Sequence, residues 1–447
     1  MLDIIQVNLA SLKREIGTFG AASIGITNII GAGIFVLSGI AAGLAGPSVI
    51  ISFLIAGFIS LLTAFSSAEL TSFVTETGGG YAFTKRAFGR FWSFLVGWLG
   101  YFDSIVGAAS VSVGFAAYFT SLFGLQGSLP LVIATSCLPI VMLMLNLFGV
   151  KEVSRAASGI VVIKIFALVL ILFLGGFYLS NHYNMTHYAP FFPNGFSGTL
   201  NGSAIIFFAF VGFNIISLMS EETKSPEKTI PKAILLAFGV TFVLYIGIGL
   251  VEVGVLDWKA LGTAASPLHD LVTKISDNKI LIDFVSFAAL IATGSVTMGS
   301  IAGTSRASFA MSRDSLFPKW FSYVHKRFGT PFVGILVSGI TVASVAGVFF
   351  KSIDVIASIF NFGILFTYTL IHLSLIKLRK KEPQTKRGFK VPLYPVVPIL
   401  GVGSSVVLMY FLSDIAKIAS AIWLSIGLVL YVVFVKKQFT KVKLNKN

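Results

Sequence analysis

Apolar residues dominate this chain in long runs, and polar residues cluster in the short links between them. About 20 apolar residues cross a bilayer as a helix. About twelve runs reach that length, at residues 17–44, 47–74, 91–123, 129–149, 156–179, 198–220, 232–255, 281–311, 332–350, 353–376, 392–412 and 418–435. The pattern predicts an all-α integral membrane protein with about twelve transmembrane helices.

The basic residues of the links set the orientation of the chain. If the N-terminus lies inside the cell, most of the 33 Lys and Arg residues fall in the inner links. The outer links hold only Lys259, Lys274, Lys279, Lys351 and Lys417. This asymmetry follows the positive-inside rule and predicts a multi-pass protein of the cell membrane with both termini, including the basic tail 436–447, in the cytoplasm. The net charge of +15 therefore reflects topology and does not indicate a nucleic-acid partner.

Composition narrows the function classes. Hydrophobic residues make up 55% of the chain and charged residues 11%, whereas a soluble domain carries about 25% charged residues. One cysteine, Cys137, and five scattered histidines give neither a disulfide nor a metal-ligand pattern, so no metal and no cofactor are expected. The chain lacks the nucleophile elbow and metal motifs of hydrolases and the carbonyl-ring filter of a channel. These features disfavour an enzyme and a channel.

Two predicted helices carry glycines where glycine weakens a helix by roughly 0.5–1 kcal/mol. The first contains the stretch "TNIIGAGIFVL", with Gly31 and Gly33, and the sixth contains "FFAFVGFN", with Gly212. The second stretch follows the first by about 180 residues, or five spans, so a repeated unit would enter the membrane from the opposite side. Paired interruptions of this kind are typical of a transporter binding site.

A broken helix exposes N–H groups at one end and carbonyl groups at the other. The N–H groups attract an anion and the carbonyl groups attract a cation, which suits a zwitterion. Close packing of helices on small residues is the alternative explanation of such glycines. The matching interruption in the sixth helix favours binding.

These stretches resemble the amino acid–polyamine–organocation transporters, and within them the cationic amino acid transporters and prokaryotic proton-coupled amino acid permeases. The similar motifs are "GAGIF", "SSAELTSFVTETGGGYAF", "FFAFVGFN", "EETKSPEKTIPKAI" and "SRDSLFPKWF". The resemblance implies a five-plus-five inverted repeat, at 1–179 and 198–376, with discontinuous helices 1 and 6. It also implies two peripheral helices at 392–435.

The resemblance also implies a substrate site at the two interruptions. Its residues are Ile30, Gly31, Ala32, Gly33, Phe207, Phe208, Phe210, Gly212 and Asn214. Phe208 aligns with the family's aromatic gate over the substrate. Ala32 replaces a frequent Ser or Thr, and Asn214 replaces a carboxylate common in the subgroup, which weakens the expectation of a cationic substrate.

Lys164 lies about nine residues into the fifth run, where an intramembrane lysine costs about 2.5–3.5 kcal/mol. The resemblance aligns it with a lysine of sodium-independent relatives whose ammonium takes the place of a sodium ion. When protonated, it can donate to carbonyls of the broken first helix and to hydroxyls such as Ser295 or Thr297. When neutral, it would release them. The alternative is a lysine that only packs or extends to the interface.

Other charged residues leave alternatives open. Glu69 and Arg306 either pair at a cytoplasmic gate or each reach interfacial water. Asp103 either relays protons or forms a structural hydrogen bond. Glu252, Asp257 and Asp283 lie at outer ends of runs and are expected to be solvated.

The sequence thus predicts a secondary active transporter that moves amino acids by alternating access, coupled to protons and independent of sodium. Its partners are the amino acid, protons and the lipid bilayer. An exchanger with obligatory counterflow on the same fold is the alternative.

Overall fold

A computed structural model of the chain describes residues 16–435, other than 75, 77, 149–152, 183, 218, 220–221, 315 and 326–328. Throughout these residues the regular elements are helical. The predicted basic tail 436–447 lies outside the described residues. The all-α prediction is confirmed.

Seventeen α-helices follow one another along the described chain. They are α1 (Thr18–Ile29), α2 (Ser38–Ala45), α3 (Val49–Thr71), α4 (Gly80–Phe88), α5 (Arg90–Leu122), α6 (Ser128–Phe148), α7 (Val153–Asn181), α8 (Gly195–Ile206), α9 (Asn214–Ser217), α10 (Pro226–Val255), α11 (Trp258–Thr263), α12 (Pro267–Ile275), α13 (Lys279–Arg313), α14 (Phe332–Val348), α15 (Ile353–Lys381), α16 (Val396–Phe411) and α17 (Asp414–Leu430).

The helices reproduce the predicted runs. Among the described residues, nine stretches are long and apolar enough to cross a membrane, and the first of them, Thr18–Thr71, contains two of the predicted runs. The ninth and eleventh runs correspond to the shorter apolar helices α14 and α16.

The first and sixth runs are interrupted where their glycines predict. After α1, Ile30 is extended (φ −76°, ψ 99°), and a π-helical turn over Gly33–Leu37 leads into α2. After α8, a 3₁₀ turn over Phe207–Phe210 leads to an extended Val211 and to Gly212 at φ 132°. Only glycine adopts that φ without strain. Discontinuous helices 1 and 6 are confirmed.

The two interruptions lie inside the helix bundle. α10 packs on α1 and α3, α2 packs on α8, and α5 packs along α13 and α15. At one end of the bundle, here named the Ile16 face, Ile16 exchanges backbone hydrogen bonds with Glu222 and Lys224 (3.1 and 2.9 Å). At the other end, the Phe191 face, Ser48 N–H donates to the Phe191 carbonyl (3.0 Å).

The last two helices lie at the periphery. α16 packs on α15 and α3, and α17 packs on α15 and α5. Their outward side chains are apolar and exposed, as expected for a surface in lipid; examples are Ile399, Val406, Ile418 and Ile422.

A buried histidine links three of these helices. His372 of α15 has one ring nitrogen 3.1 Å from Thr63 Oγ1 and the other 2.9 Å from Ser66 Oγ, both on α3. Gly401 of α16 lies directly over the ring, and a Cβ there would collide with ring atoms. The glycine is therefore required by the histidine.

We predict that Gly401→Ala lowers the thermal stability of the purified protein, because the methyl group must displace the His372 ring. Overpacking of this kind costs about 1–3 kcal/mol. Gly403→Ala is the matched control, since it lies on the same helix and a Cβ there meets no atom within 4 Å. Equal unfolding temperatures for the two variants would contradict this account of the contact.

Candidate substrate and coupling site

The two helix interruptions touch each other through their glycines. A Cβ on Gly33 would collide with the Cα of Ala209 in the sixth-run interruption. A Cβ on Gly212 would lie 2.8 Å from the carbonyl carbon and oxygen of Asn28 at the end of α1. Backbone therefore packs on backbone in both directions, and neither contact leaves room for a side chain.

The carbonyl end of the first interruption is held by two buried side chains. The Lys164 ammonium of α7 donates to the carbonyls of Thr27 (2.6 Å) and Ile30 (2.7 Å). The Tyr245 hydroxyl of α10 donates to the carbonyl of Ile29 (3.0 Å). Lys164 is fully buried. Carbonyls that the broken helix leaves unpaired are thus satisfied by side chains from α7 and α10.

The N–H ends carry donors that remain available. Among the described residues, the backbone N–H groups of Gly31, Ala32, Gly212 and Phe213 have no hydrogen-bond acceptor. Convergent backbone donors at helix ends bind anions such as a carboxylate. Gly31 faces Val296 of α13, so this part of the site has an apolar wall.

Three phenylalanines of the second interruption, Phe207, Phe208 and Phe210, are predicted site residues, and all three are buried. Phe210 is enclosed by aromatic rings of α3 and α10, and Phe207 packs edge-on against Tyr368 of α15 (5.8 Å between ring centroids). Phe208 is 8% exposed and lies 4.6 Å from the Phe360 ring, also of α15. All three rings belong to one buried core, and Phe208 is the one that keeps a small exposed fraction, between the interruption and α15.

Two amide side chains connect the second interruption to α15. Asn214, a predicted site residue, donates to the Tyr368 hydroxyl (3.0 Å). Asn361 donates to the carbonyls of Ala204 and Ile205 (2.7 and 3.1 Å). It therefore satisfies carbonyls at the end of α8, as Lys164 does at the end of α1. Sequence reasoning missed Asn361, although a buried amide within an apolar run was the signal.

The hydroxyls of α13 have other partners than Lys164. Ser295 donates to the carbonyl of Ala292 (2.9 Å), and Thr297 donates to that of Thr293 (3.2 Å). In the part of the chain that the structure describes, both hydrogen bonds of the Lys164 ammonium go to the first helix. The expected bridge to Ser295 or Thr297 is not formed in this conformation.

Neither alternative for Glu69, a pair with Arg306 or contact with interfacial water, is seen in this structure. Glu69 is fully buried near the Ile16 face, and Arg379 donates to both its carboxylate oxygens (2.7 and 2.5 Å). Arg387 lies 3.2 Å from it, and the N–H of Val391 donates to it (2.6 Å). Arg306 is exposed on α13. The segment that follows α15 encloses Glu69, and spacing along the sequence gave no sign of this.

A second polar cluster lies near the same face. Asp314 accepts hydrogen bonds from the Tyr81 hydroxyl (2.7 Å) and the Lys85 ammonium (3.0 Å). Partial burial alone would raise the pKa of Asp314, but these two hydrogen bonds lower it below its usual value. The cluster ties α4 to the end of α13.

One of the three acids expected to be solvated is buried instead. Glu252 is fully buried and hydrogen-bonded to Ser38 (2.7 Å), so the expectation that it is solvated is wrong. Asp257 is exposed and caps α11, and Asp283 is partly exposed. Asp103 is buried against Gly363 of α15, and its carboxylate has no hydrogen-bond partner within the described residues.

Comparison with known proteins agrees with this geometry. The sequence profile described as "Amino acid permease" matches residues 16–435. The chain is 33% identical to the methylthioribose transporter of Bacillus subtilis (97% of this chain, 95% of the relative) and 34% identical to the branched-chain amino acid permease BcaP of the same organism (96% and 94%). It is 30% identical to the cationic amino acid transporter 3, mitochondrial, of Arabidopsis thaliana (81% and 61%).

The chain belongs to the amino acid permease family, within the amino acid–polyamine–organocation superfamily. It is a multi-pass membrane transporter and not an enzyme, and its family assigns it to amino acid transport.

We predict that Gly33→Ala weakens substrate binding at least about tenfold, or about 1.4 kcal/mol, because the added methyl group must push the two interruptions apart. Gly239→Ala on α10 is the matched control, since its Cβ meets no atom within 4 Å. Binding is measured on purified protein by ligand-induced thermal stabilisation. Equal affinities for the two variants would remove Gly33 from the site.

We predict that Glu69→Gln destabilises the protein by on the order of 3 kcal/mol, because it leaves the nearly buried guanidinium of Arg387 without its counter-charge. Lys417→Gln, which breaks the exposed Lys417–Asp414 pair, should cost less than about 1 kcal/mol. Thermal unfolding of both variants tests the difference. If they unfold at the same temperature, the Glu69 cluster (Glu69, Arg379, Arg387 and the Val391 N–H) contributes no more to stability than a surface pair.

Proposed function

We propose that the protein carries zwitterionic, neutral amino acids across the cell membrane by proton-coupled, sodium-independent alternating access. The observation that supports this most directly is the pairing of charges at the first interruption. The Lys164 ammonium occupies its carbonyl end, where a sodium ion would otherwise be attracted, and the free N–H groups of Gly31 and Ala32 await an anion.

The substrate class follows from what surrounds these donors. The carboxylate of an amino acid would accept from the N–H groups of the first interruption, and its ammonium would face carbonyls of the second. Phe208 and Val296 supply apolar surroundings, and Asn214 provides no negative charge for a cationic side chain. Two relatives are named branched-chain amino acid permeases, which supports an aliphatic side chain.

Lys164 would couple the proton to transport. While charged, it holds Thr27 and Ile30 in place and so fixes the end of α1. On losing its proton it retains at most two N–H donors and no charge, which weakens both hydrogen bonds. The first helix would then be free to move relative to α7 and α13. The Ile16 face would be cytoplasmic, with residues 1–179 and 198–376 as the two repeats.

Closure would occur on both sides of the site. Phe208, which contacts Phe360, is positioned to cover a bound substrate, and a covering ring excludes water from the hydrogen bonds beneath it. The Glu69 cluster and the Asp314 cluster would hold the cytoplasmic side together. Alternating access would break one set of contacts while the other is kept.

The test is uptake by purified protein in liposomes, across a panel of labelled amino acids with and without an imposed pH gradient. Leucine, isoleucine or valine should accumulate in the absence of sodium, and arginine and lysine should not. Methylthioribose belongs in the same panel because of the relative with that name. Since that compound has neither ammonium nor carboxylate, its transport instead of the amino acids would overturn the zwitterion site.

We predict that Lys164→Ala abolishes accumulation driven by an inward proton gradient, because the variant lacks the group that titrates. Lys164→Arg should fail as well, because a guanidinium does not release its proton in this range. Lys259→Ala, an exposed lysine on α11, is the control and should accumulate substrate as the unmodified protein does. Uptake is followed while the external pH is lowered from 7.5 to 5.5.

Two results would contradict the coupling. A Lys164→Ala protein that still concentrates substrate on a proton gradient would show that the proton is carried elsewhere. Flux that depends on amino acid trapped inside the liposomes and ignores pH would establish the exchanger.

A further inference from the structure

A buried hydrogen bond joins α2 to α10 on the far side of the interruption from Lys164. Ser38 Oγ lies 2.7 Å from Glu252 Oε1 and 2.8 Å from the carbonyl oxygen of Ile34. Both side chains are fully buried. Ile34 belongs to the π-helical turn that follows the first interruption, so Glu252 is connected to that turn through one hydroxyl.

The number of hydrogens available for this contact indicates whether Glu252 is protonated. The Ser38 hydroxyl carries one hydrogen, and an ionised carboxylate is an acceptor only. If Glu252 were ionised, that single hydrogen would be shared between two acceptors. Glu252 Oε2 has no hydrogen-bond partner among the described residues, and no cation of those residues forms an ion pair with Glu252. An unpaired charge in such a site is strongly disfavoured.

With a proton on the carboxyl group, both hydrogen bonds of the contact can form. The Glu252 O–H donates to Ser38 Oγ, and the Ser38 hydroxyl donates to the Ile34 carbonyl, so each short contact has its own hydrogen. We propose that Glu252 is a proton-binding site, occupied in this conformation, that fastens α2 to α10 through Ser38. Loss of the proton leaves one hydrogen for two acceptors, so either the contact of Ser38 with Glu252 or its contact with the Ile34 carbonyl loses its hydrogen.

Other titratable groups nearby already have partners or are partly solvated. Tyr118 of α5 donates to the Phe35 carbonyl (2.5 Å) and accepts from the N–H of Leu268 (3.2 Å). His269 of α12 bonds Ser286 (2.8 Å), His187 bonds the carbonyl of Gly254 (2.8 Å), and Asp270 is partly exposed. The hydrogen bond of Glu252 is to Ser38, so Ser38 is the group that senses its proton.

This site is separate from Lys164 and does not depend on which substrate is carried. Lys164 acts on the carbonyls of Thr27 and Ile30, before the interruption, and Glu252 acts on the turn after it. Protonation of Glu252 would therefore act on the second half of the first helix independently of Lys164.

Infrared spectroscopy of the full chain in lipid nanodiscs at neutral pH tests the proposal without a transport assay. A protonated buried carboxyl group gives a carbonyl stretch distinct from that of a carboxylate. We expect such a band in the unmodified protein, its loss in Glu252→Gln, and a shift of the same band in Ser38→Ala, which removes the hydrogen-bond partner. Asp257→Asn, at an exposed acid five residues further on, should leave the band unchanged.

Asp103→Asn distinguishes the signals of the two buried acids. It should remove any band that comes from Asp103 and leave the Glu252 band in place. A spectrum of Glu252→Gln identical to that of the unmodified protein would overturn the proposal. If Glu252→Gln does not fold, Ser38→Ala decides alone: a shifted band supports the site, and an unshifted one refutes it. Failure of amino acid uptake would leave these spectra unaffected, so the two proposals fail separately.

Discussion

The structure depends on how unpaired backbone carbonyls are satisfied inside the membrane. A helix that breaks away from water exposes carbonyl groups, and each one left unpaired in lipid costs several kcal/mol. Here Lys164 and Tyr245 donate to Thr27, Ile29 and Ile30. The carbonyls in turn stabilise the buried ammonium, because a cation without partners is costly inside a membrane. The broken helix and the intramembrane lysine therefore stabilise each other.

At the second interruption, neutral side chains make the corresponding hydrogen bonds. Asn361 donates to Ala204 and Ile205, and Asn214 reaches Tyr368. The contacts at Gly33 and Gly212 then bring the two interruptions together backbone to backbone. The first interruption is held by a lysine and the second by neutral amides, so under the proposed coupling the first helix is the element that would respond to protonation.

Acids away from the centre are handled in two ways. Glu69 accepts hydrogen bonds from the Arg379 guanidinium and the Val391 N–H and forms an ion pair with Arg387, so two guanidinium groups provide its counter-charge. Glu252 has one hydroxyl partner and, within the described part of the chain, forms no ion pair, so the number of available hydrogens favours a proton on the carboxyl group. With the proposed proton on Glu252, a charge-paired cluster lies near the Ile16 face and a protonated contact lies towards the Phe191 face. The two ends of the bundle would therefore respond differently to pH.

The sequence by itself determined the helical membrane fold, the twelve runs and the positions of both interruptions. Run length is set by the thickness of the bilayer, and interior glycines are set by the φ angles that a residue can adopt. Both are local properties, so they can be recognised without knowing which residues pack together. It also singled out Lys164, because a lone lysine in an apolar run is conspicuous. The partners of charged groups were decided only by the tertiary structure. Glu69 meets arginines more than 300 residues away, Asn361 meets α8, and Glu252 is buried where its place near a run end suggested solvent. Such pairings depend on which helix faces pack together, and no local pattern in the chain encodes that choice.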